Sequence, residues 1–332
     1  MNQLFRWDQM GLFLLALAAG ILPFAVPEVC AAALREGLTL CSGPLLLSLF
    51  PFLVVSRLLI QCPESDLLAL PFRLAAWGIG IRIPCAARVL CIGFLVGFAP
   101  AASAAAQAVR TGQLTAEEAD ALLPACICSG PSFVVLTVGQ SLLGSAELGV
   151  LLFASQITSN YLTAALLNRC AGVRSVKPES AAPASPAPPR LDAILADSAI
   201  TYCKLCGFIL FFRMLAAGAG ALLPAGAGTL CSILLEVCSG CDLASRTGRW
   251  GSLLCCAALS VQGLSVLLQV RTICPPEMTL RPLYRSRLLH LPLSLALFYL
   301  LLPGGEADVF STLPARVLLM RRVPPDCALL VF

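Results

Sequence analysis

The residues of this chain best placed to do chemistry are a few serines, glutamines and one glutamate that interrupt apolar runs. In CSGPSFVVLTVG, residues 128–139, Ser129, Gly130, Pro131 and Ser132 break an otherwise apolar stretch. Pro131 removes an N–H and Gly130 lowers helix propensity. The serine hydroxyls can satisfy the freed backbone groups, or they can be offered to a ligand. A half-helix beginning at Ser132 would aim its positive end at an anion or another polar group. A second interruption of the same kind lies in ALSVQGLSVLLQV, residues 258–270, where Gln262, Gly263 and Ser265 are followed by Gln269. Glu236 sits inside SILLEVCSG, and a carboxylate within an apolar segment is a functional candidate by default. Pairing with an arginine for structure alone is the alternative reading. The candidate substrate-binding set is therefore Ser129, Gly130, Ser132, Glu236, Gln262, Gly263, Ser265 and Gln269, with Gln156 and Asn160 as further neutral hydrogen-bonding groups.

Other chemistries lack their residues. The sequence holds no Gly-x-Ser-x-Gly, His-Glu-x-x-His or Walker loop, and the single histidine, His290, stands in SRLLHLP, where an interfacial position is expected. No enzyme activity, cofactor or ATP-driven step is expected. The 17 cysteines include two Cys-x-x-Cys pairs, Cys203/Cys206 and Cys238/Cys241. Both lie in or beside apolar segments, where cysteine behaves as a small hydrophobe, so neither a metal site nor a disulfide framework is expected. The net charge of +4 is spread through the connections, which suits anionic headgroups and not nucleic acid.

These residues must be positioned by membrane helices. The chain has 332 residues, 58% hydrophobic and 12% charged, with a mean hydropathy of +0.89. Soluble domains hold about 45–50% apolar and about 25% charged residues. The expectation is an all-α, polytopic integral membrane protein of about eight spans, each of about 20 residues. Continuous spans are expected at residues 10–26, 38–60, 88–108, 146–167, 194–217, 250–270 and 288–302. Broken or re-entrant elements are expected at 67–83, 121–143 and 221–241, tolerable at membrane depth only inside protein or along a cavity. Gly93, Gly97, Ala101 and Ala105 form a small-residue stripe for close helix packing on the third span.

Residues 173–192, VRSVKPESAAPASPAPPRLD, carry five prolines and form a basic, extended linker expected on the cytoplasmic side. Arg281, Arg285 and Arg287 mark a second basic connection. The linker divides an N-terminal membrane helix (1–37) and a first repeat (38–172) from a second repeat with a final helix (193–303) and a tail (304–332). The tail carries Arg316, Arg321 and Arg322 and suits a surface-lying segment. Pro23, Pro27 and Glu28 favour a retained first helix over a cleaved signal peptide. Arg57, Arg73, Lys204 and Arg213 are expected to snorkel to headgroups. Thr115 and Glu118 form a capping box, and Glu117, Glu118 and Asp120 suit a solvated helix start. The halves match in order: FPFLVVSRLL with GFILFFRMLAA, GFLVGFAPAASAAAQA with LLEVCSGCDLAS, and Ser129–Ser132 opposite Gln262–Ser265. Paired interruptions of this kind point to a transporter-type site between two inverted repeats.

The ordered motifs FPFLVVSRLL, GFLVGFAP, RTGQLTAEEADALLPACICSGPSFVVLTVG, LLEVCSG, LSVQGLSVLLQV and RSRLLHLPL, spread over about residues 38–293, resemble the YlbJ-type sporulation integral membrane proteins of the nucleoside-recognition (Gate) domain group. The family's Gly-Tyr-Pro-x-Gly-Ala-Lys falls on residues 97–103, with Ala99, Ala101 and Ser103 at its Pro, second Gly and Lys. Its Asn-x-x-Ser-Pro falls on residues 127–131, with Ile127 at the Asn, and its Gly-Leu-Ser-Val-His-x-Gln falls on 263–269, with Leu267 at the His. The resemblance implies a multi-pass protein of the bacterial inner membrane or spore membranes, acting in spore envelope or cortex assembly. It also implies transport of a small polar solute. A non-transporting scaffold that organises sporulation partners is the competing expectation. The partners implied are membrane lipids, other sporulation membrane proteins or a second copy.

Overall fold

Proline and glycine punctuate this chain, and the helices begin and end where they stand. The computed structural model describes residues 2–172 and 191–302. Among these, the regular structure is all helical. The elements are α1 (Asn2–Ala25), α2 (Pro27–Ser42), α3 (Pro44–Gln61), α4 (Leu70–Gly78), α5 (Pro84–Val96), α6 (Phe98–Arg110), α7 (Ala116–Cys126), a π-helix (Ser132–Leu142), α8 (Ala146–Cys170), α9 (Leu191–Leu222), α10 (Ala225–Leu235), α11 (Val237–Ser245), α12 (Gly251–Val261), α13 (Gly263–Ile273) and α14 (Arg281–Leu301). Proline opens α2, α3 and α5, where its missing N–H has no partner to lose. The capping box at α7 forms as the sequence expects: Glu118 N donates to Thr115 Oγ1 at 3.1 Å, and Thr115 N donates to Glu118 Oε2 at 3.0 Å.

Among the described residues, four helical stretches are long and apolar enough to cross a membrane: Pro27–Leu47, Ala146–Cys170, Leu191–Leu222 and Gly248–Ile273. The distribution of side chains agrees with that reading. Leu74, Leu166, Leu234, Leu288 and Leu300 face outward, while Gln156, Ser159, Asn160, Gln262, Ser260 and His290 are buried. An apolar exterior around a polar seam reverses the usual arrangement in water and fits lipid surroundings.

The elements repeat in order: a long helix, a helical hairpin, a broken rod, a long helix. In the first half these are α3, α5–α6, α7 with the π-helix, and α8; in the second, α9, α10–α11, α12–α13 and α14. The hairpins are visible from side-chain contacts. Arg88 near the start of α5 donates to Gln113, just beyond α6, at 2.8 Å. A Cβ on Gly240 of α11 would lie 2.8 Å from Ile233 Cα of α10. The broken rods instead run on. Along the first, Ala121 O meets Asn168, Ile127 O meets Asn160, and Gly139 meets Gly149, so the rod lies antiparallel to α8 over its whole length. Helices α3 and α9, and α8 and α14, also pair antiparallel. Arg57 and Phe50 of α3 meet Asp197 and Tyr202 of α9, and Gln156 and Asn160 of α8 meet His290 and Arg287 of α14. The inner arms are exchanged: α6 packs on α13, and α11 packs on the π-helix.

Several expected elements are revised. The span at 88–108 is two helices broken at Gly97, so its small-residue stripe is divided between the arms of a hairpin. The span at 38–60 is interrupted at Gly43, and residue 37 lies inside α2. The span at 250–270 is broken at Gln262. Arg57 does not snorkel: it is buried, donates to Ser103 at 2.8 Å and Thr201 at 2.9 Å, and pairs with Asp197 at 3.4 Å. Asp120 does not face solvent. It accepts from Thr279 N at 2.8 Å, Thr279 Oγ1 at 2.7 Å and Leu280 N at 3.1 Å, which ties α7 to the start of α14. Most of the linker (173–190) and the tail (303–332) lie outside the described residues, and α9 begins at Leu191.

The hairpin tip at Gly97 dictates a testable sensitivity. Gly97 has φ +108, and a Cβ there would lie 2.8 Å from Gly130 N; a Cβ on Gly130 would lie 2.5 Å from Val96 O. Either Gly97→Ala or Gly130→Ala should destabilise the protein by about 1–3 kcal/mol through overpacking, with backbone strain added at Gly97. Gly226→Ala, which meets nothing within 4 Å, should be neutral or slightly stabilising. Thermal unfolding of the detergent-solubilised variants checks this, and equal midpoints for all three would count against the close crossing.

Candidate functional site

Four backbone breaks meet near the centre of the bundle. In the first half the hairpin tip at Gly97 crosses the rod at Cys128–Gly130. In the second, the rod break at Gly263 crosses the hairpin tip at Glu236: a Cβ on Gly263 would lie 3.0 Å from Glu236 N and from Leu235 O. The two crossings are joined to each other, because Gln262 Nε2 donates to Ser129 Oγ at 3.4 Å. The sequence pairs Ser129–Ser132 with Gln262–Ser265; the structure brings Ser129 and Gln262 into contact and adds Gly97 and Glu236 to the same place.

Each candidate residue has a distinct position. Gln262 takes a left-handed backbone, φ 66, and also donates to Leu259 O at 2.6 Å, the last turn of α12. Its Oε1 is buried without a hydrogen-bond partner, an acceptor left open at the junction. Glu236 has extended backbone between α10 and α11 and caps α11: Oε1 accepts from Cys238 N at 2.8 Å and Oε2 from Ser239 N at 2.7 Å. A carboxylate on a helix N-terminus answers the expected arginine pairing with a different partner, the helix end itself. Gln269 donates to Ser265 at 2.9 Å along α13, and both are buried away from the Ser129 contact. Gly130 and Gly263 are buried crossing points. Ser132, at the start of the π-helix, is exposed and does not join the buried group. That helix winds wide, with Leu143 N bonded to Val138 O, and lets Gly139 approach Gly149 of α8 so closely that a Cβ would meet its Cα at 2.4 Å.

Arg287 is the residue that reading the sequence misses. It is not part of a basic connection. It lies on α14, 7% exposed, with no ion pair among the described residues. It donates to Asn160 Oδ1 at 2.9 Å and faces Pro124 O and Ile127 O at 3.5 Å and Ser260 O at 3.4 Å. These carbonyls belong to the C-terminal ends of α7 and α12. Each end carries about half a negative charge, so the two together supply roughly the one counter-charge that a carboxylate otherwise would. His290, expected at an interface, is fully buried one turn further on, its ring nitrogens facing Gln156 O at 3.2 Å and Ser260 O at 3.3 Å. Gln156 Nε2 donates to Ser260 at 3.0 Å, and Ser260 contacts Ser294. The signal was present as the row Arg287, His290, Ser294 at helical spacing, but a helix start placed at 288 hid it.

The surface of the described residues carries two grooves of interest here. One, of about 540 Å³, lies between α12 and α14. The other, of about 190 Å³, is lined by Glu36, Arg213, Ser239 and Asp242 among small residues of α2 and α9. Ser239, one of its lining residues, has its N–H held by Glu236. Arg213 and Glu36 pair at 2.7 Å at its rim. Cys203 and Cys206 lie on α9, and Cys238 and Cys241 on α11. Among the described residues no cluster of His, Cys, Asp and Glu has the make-up of a metal site.

Comparison with protein-family models, with curated proteins and with solved structures finds no match to this chain. The resemblance to the YlbJ-type proteins rests on the ordered motifs, and the site stands on its own geometry.

That geometry makes Arg287 a structural keystone. Arg287→Leu would strand Asn160 Oδ1 and the carbonyl ends of α7 and α12, each buried polar group left unmet costing about 1–3 kcal/mol. Arg287→Lys keeps the charge but not the planar fork and should fall between. The check is the denaturation midpoint of the purified protein: wild type, then lysine, then leucine in falling order. A leucine variant as stable as wild type would remove Arg287 from this role.

Proposed function

We propose that this chain is a membrane carrier of a small polar solute, built as two inverted repeats whose hairpins are re-entrant, and a divergent relative of the YlbJ-type proteins of the Gate group. On that resemblance it acts in spore envelope or cortex assembly, in the inner membrane or the spore membranes. The observation that carries the reading is the meeting of four helix breaks at Gly97, Ser129, Glu236 and Gln262, with the Gln262 carbonyl oxygen buried and unpartnered. Breaks at membrane depth expose backbone groups and helix ends, which is how carriers of this kind hold a solute. The antiparallel pairing of α3 with α9 and of α8 with α14 supports inversion, because inverted equivalents must run in opposite directions. The exchange of inner arms supports a two-fold relation between halves.

In this reading the solute displaces the Gln262–Ser129 contact, and Gln262 Oε1 accepts from a solute N–H or O–H. The groove lined by Ser239 supports a path from one face to the α11 turn. Its volume is below the roughly 300 Å³ at which small-molecule sites begin. A scaffold without transport is the second reading, and the exposure of Ser132 together with the small volume of that groove favours it.

Uptake of radiolabelled nucleosides into proteoliposomes separates the two. A carrier accumulates at least one of them, and Ser129→Ala and Gln262→Ala each lower that uptake about tenfold, one buried hydrogen bond of about 1.4 kcal/mol, with normal membrane insertion. No uptake by the wild type, with both variants supporting full spore maturation, would select the scaffold.

A further inference from the structure

We propose that the groove between α12 and α14 binds one acyl chain of a phospholipid with an anionic headgroup. The groove, about 540 Å³, is walled by Leu253, Leu254 and Ala257 of α12 and by Leu295, Ala296 and Tyr299 of α14. Its space arises where the two alanines face each other between leucines. The volume lies within the range of about 300–1,000 Å³ typical of small-molecule sites. Its lining is almost wholly apolar.

Position and charge select the occupant. The groove opens on the outer face of the candidate span Gly248–Ile273, where an apolar chain of the bilayer is the adjacent medium. Trp250, at the first turn of that span, and Tyr299, near the end of the antiparallel α14, come together at one end of the groove. Paired aromatic residues at helix ends suit the headgroup level. At the same end the Arg249 guanidinium lies 5.0 Å over the Trp250 ring and has no ion pair among the described residues. An exposed arginine held at headgroup level attracts an anionic lipid. A helix from a second copy would fill the apolar groove but leave that cation without a partner.

The full-length chain, extracted in mild detergent and incubated with equal phosphatidylglycerol and phosphatidylcholine, is examined by native mass spectrometry for lipid that stays bound. Wild type should retain phosphatidylglycerol in preference. Ala257→Trp and, from the opposite wall, Ala296→Trp fill the groove and should cut retained lipid about tenfold. Arg249→Glu should keep the bound lipid but lower the preference for phosphatidylglycerol about fivefold, the factor for one basic residue near a charged surface. Arg249 is exposed, so this variant tests the headgroup assignment even where a tryptophan variant fails to fold. Unchanged retention in the tryptophan variants, or an unchanged preference in Arg249→Glu, overturns the proposal. A shift of the tryptophan variants from dimer to monomer overturns it in favour of a second copy.

Discussion

A helix broken in apolar surroundings leaves N–H and C=O groups that water cannot reach, and this architecture answers to that constraint before any other. Each unmet group costs on the order of several kcal/mol in hydrocarbon. The bundle meets the cost differently at each break. At Gly97 and Gly130 the two backbones come so close that no side chain fits between them. At Glu236 a carboxylate takes the N–H groups of Cys238 and Ser239, the second and third of α11. At Gln262 the side-chain amide turns back to the carbonyl of Leu259. At Ile127 the amide of Asn160, from α8, supplies the donor at 3.3 Å. Part of the polar interior thus answers the breaks, through Glu236, Gln262 and Asn160.

Arg287 shows how these local answers become a global one. A lone buried cation is costly, yet this one rests against the ends of α7 in the first half and α12 in the second. The stabilisation exists only while both ends point at it, so the guanidinium measures the relative position of the halves. Asp120 does the same at the periphery, holding the N–H groups of Thr279 and Leu280 from α7. In the carrier proposed for this chain, a rocking of one half against the other would have to re-house Arg287 whichever half α14 follows, while the Gln262–Ser129 contact between the halves is a longer tie at 3.4 Å.

Much of the fold was legible because breaks are written in residue types that have few other uses. Ser-Gly-Pro-Ser at 129–132 and Gln-Gly at 262–263 are breaks in the chain, and Thr115 with Glu118 is a cap. Gly97 was read as helix packing because a glycine in a Gly-x-x-x-Gly spacing serves both purposes, and only its φ of +108 distinguishes them. Glu236 was legible as important but not as a cap, since it lacks the usual Ser, Thr or Asp identity. Arg287 and His290 were not legible. Their spacing matches a helix face, but three arginines close together at 281, 285 and 287 look like a polar connection, and no local rule says which of them turns inward.

On the proposed relation to the YlbJ-type proteins, the differences from their motifs acquire a physical sense in three dimensions. The lysine of the family motif falls on Ser103, a small hydroxyl. Yet the Ser103 hydroxyl accepts from the Arg57 guanidinium at 2.8 Å, so a positive group from α3 reaches the position on α6 where the family carries its own. The asparagine of the second motif falls on Ile127, and there the amide comes from Asn160 of α8. On that proposed relation, the group of the family motif would have stood on a broken element, and in this chain a neighbouring helix supplies it, α3 for the charge beside Ser103 and α8 for the amide beside Ile127. Gln262 is the polar side chain that stands at a break with an acceptor unfilled, and on the proposed carrier reading that makes it the group best placed to meet a solute.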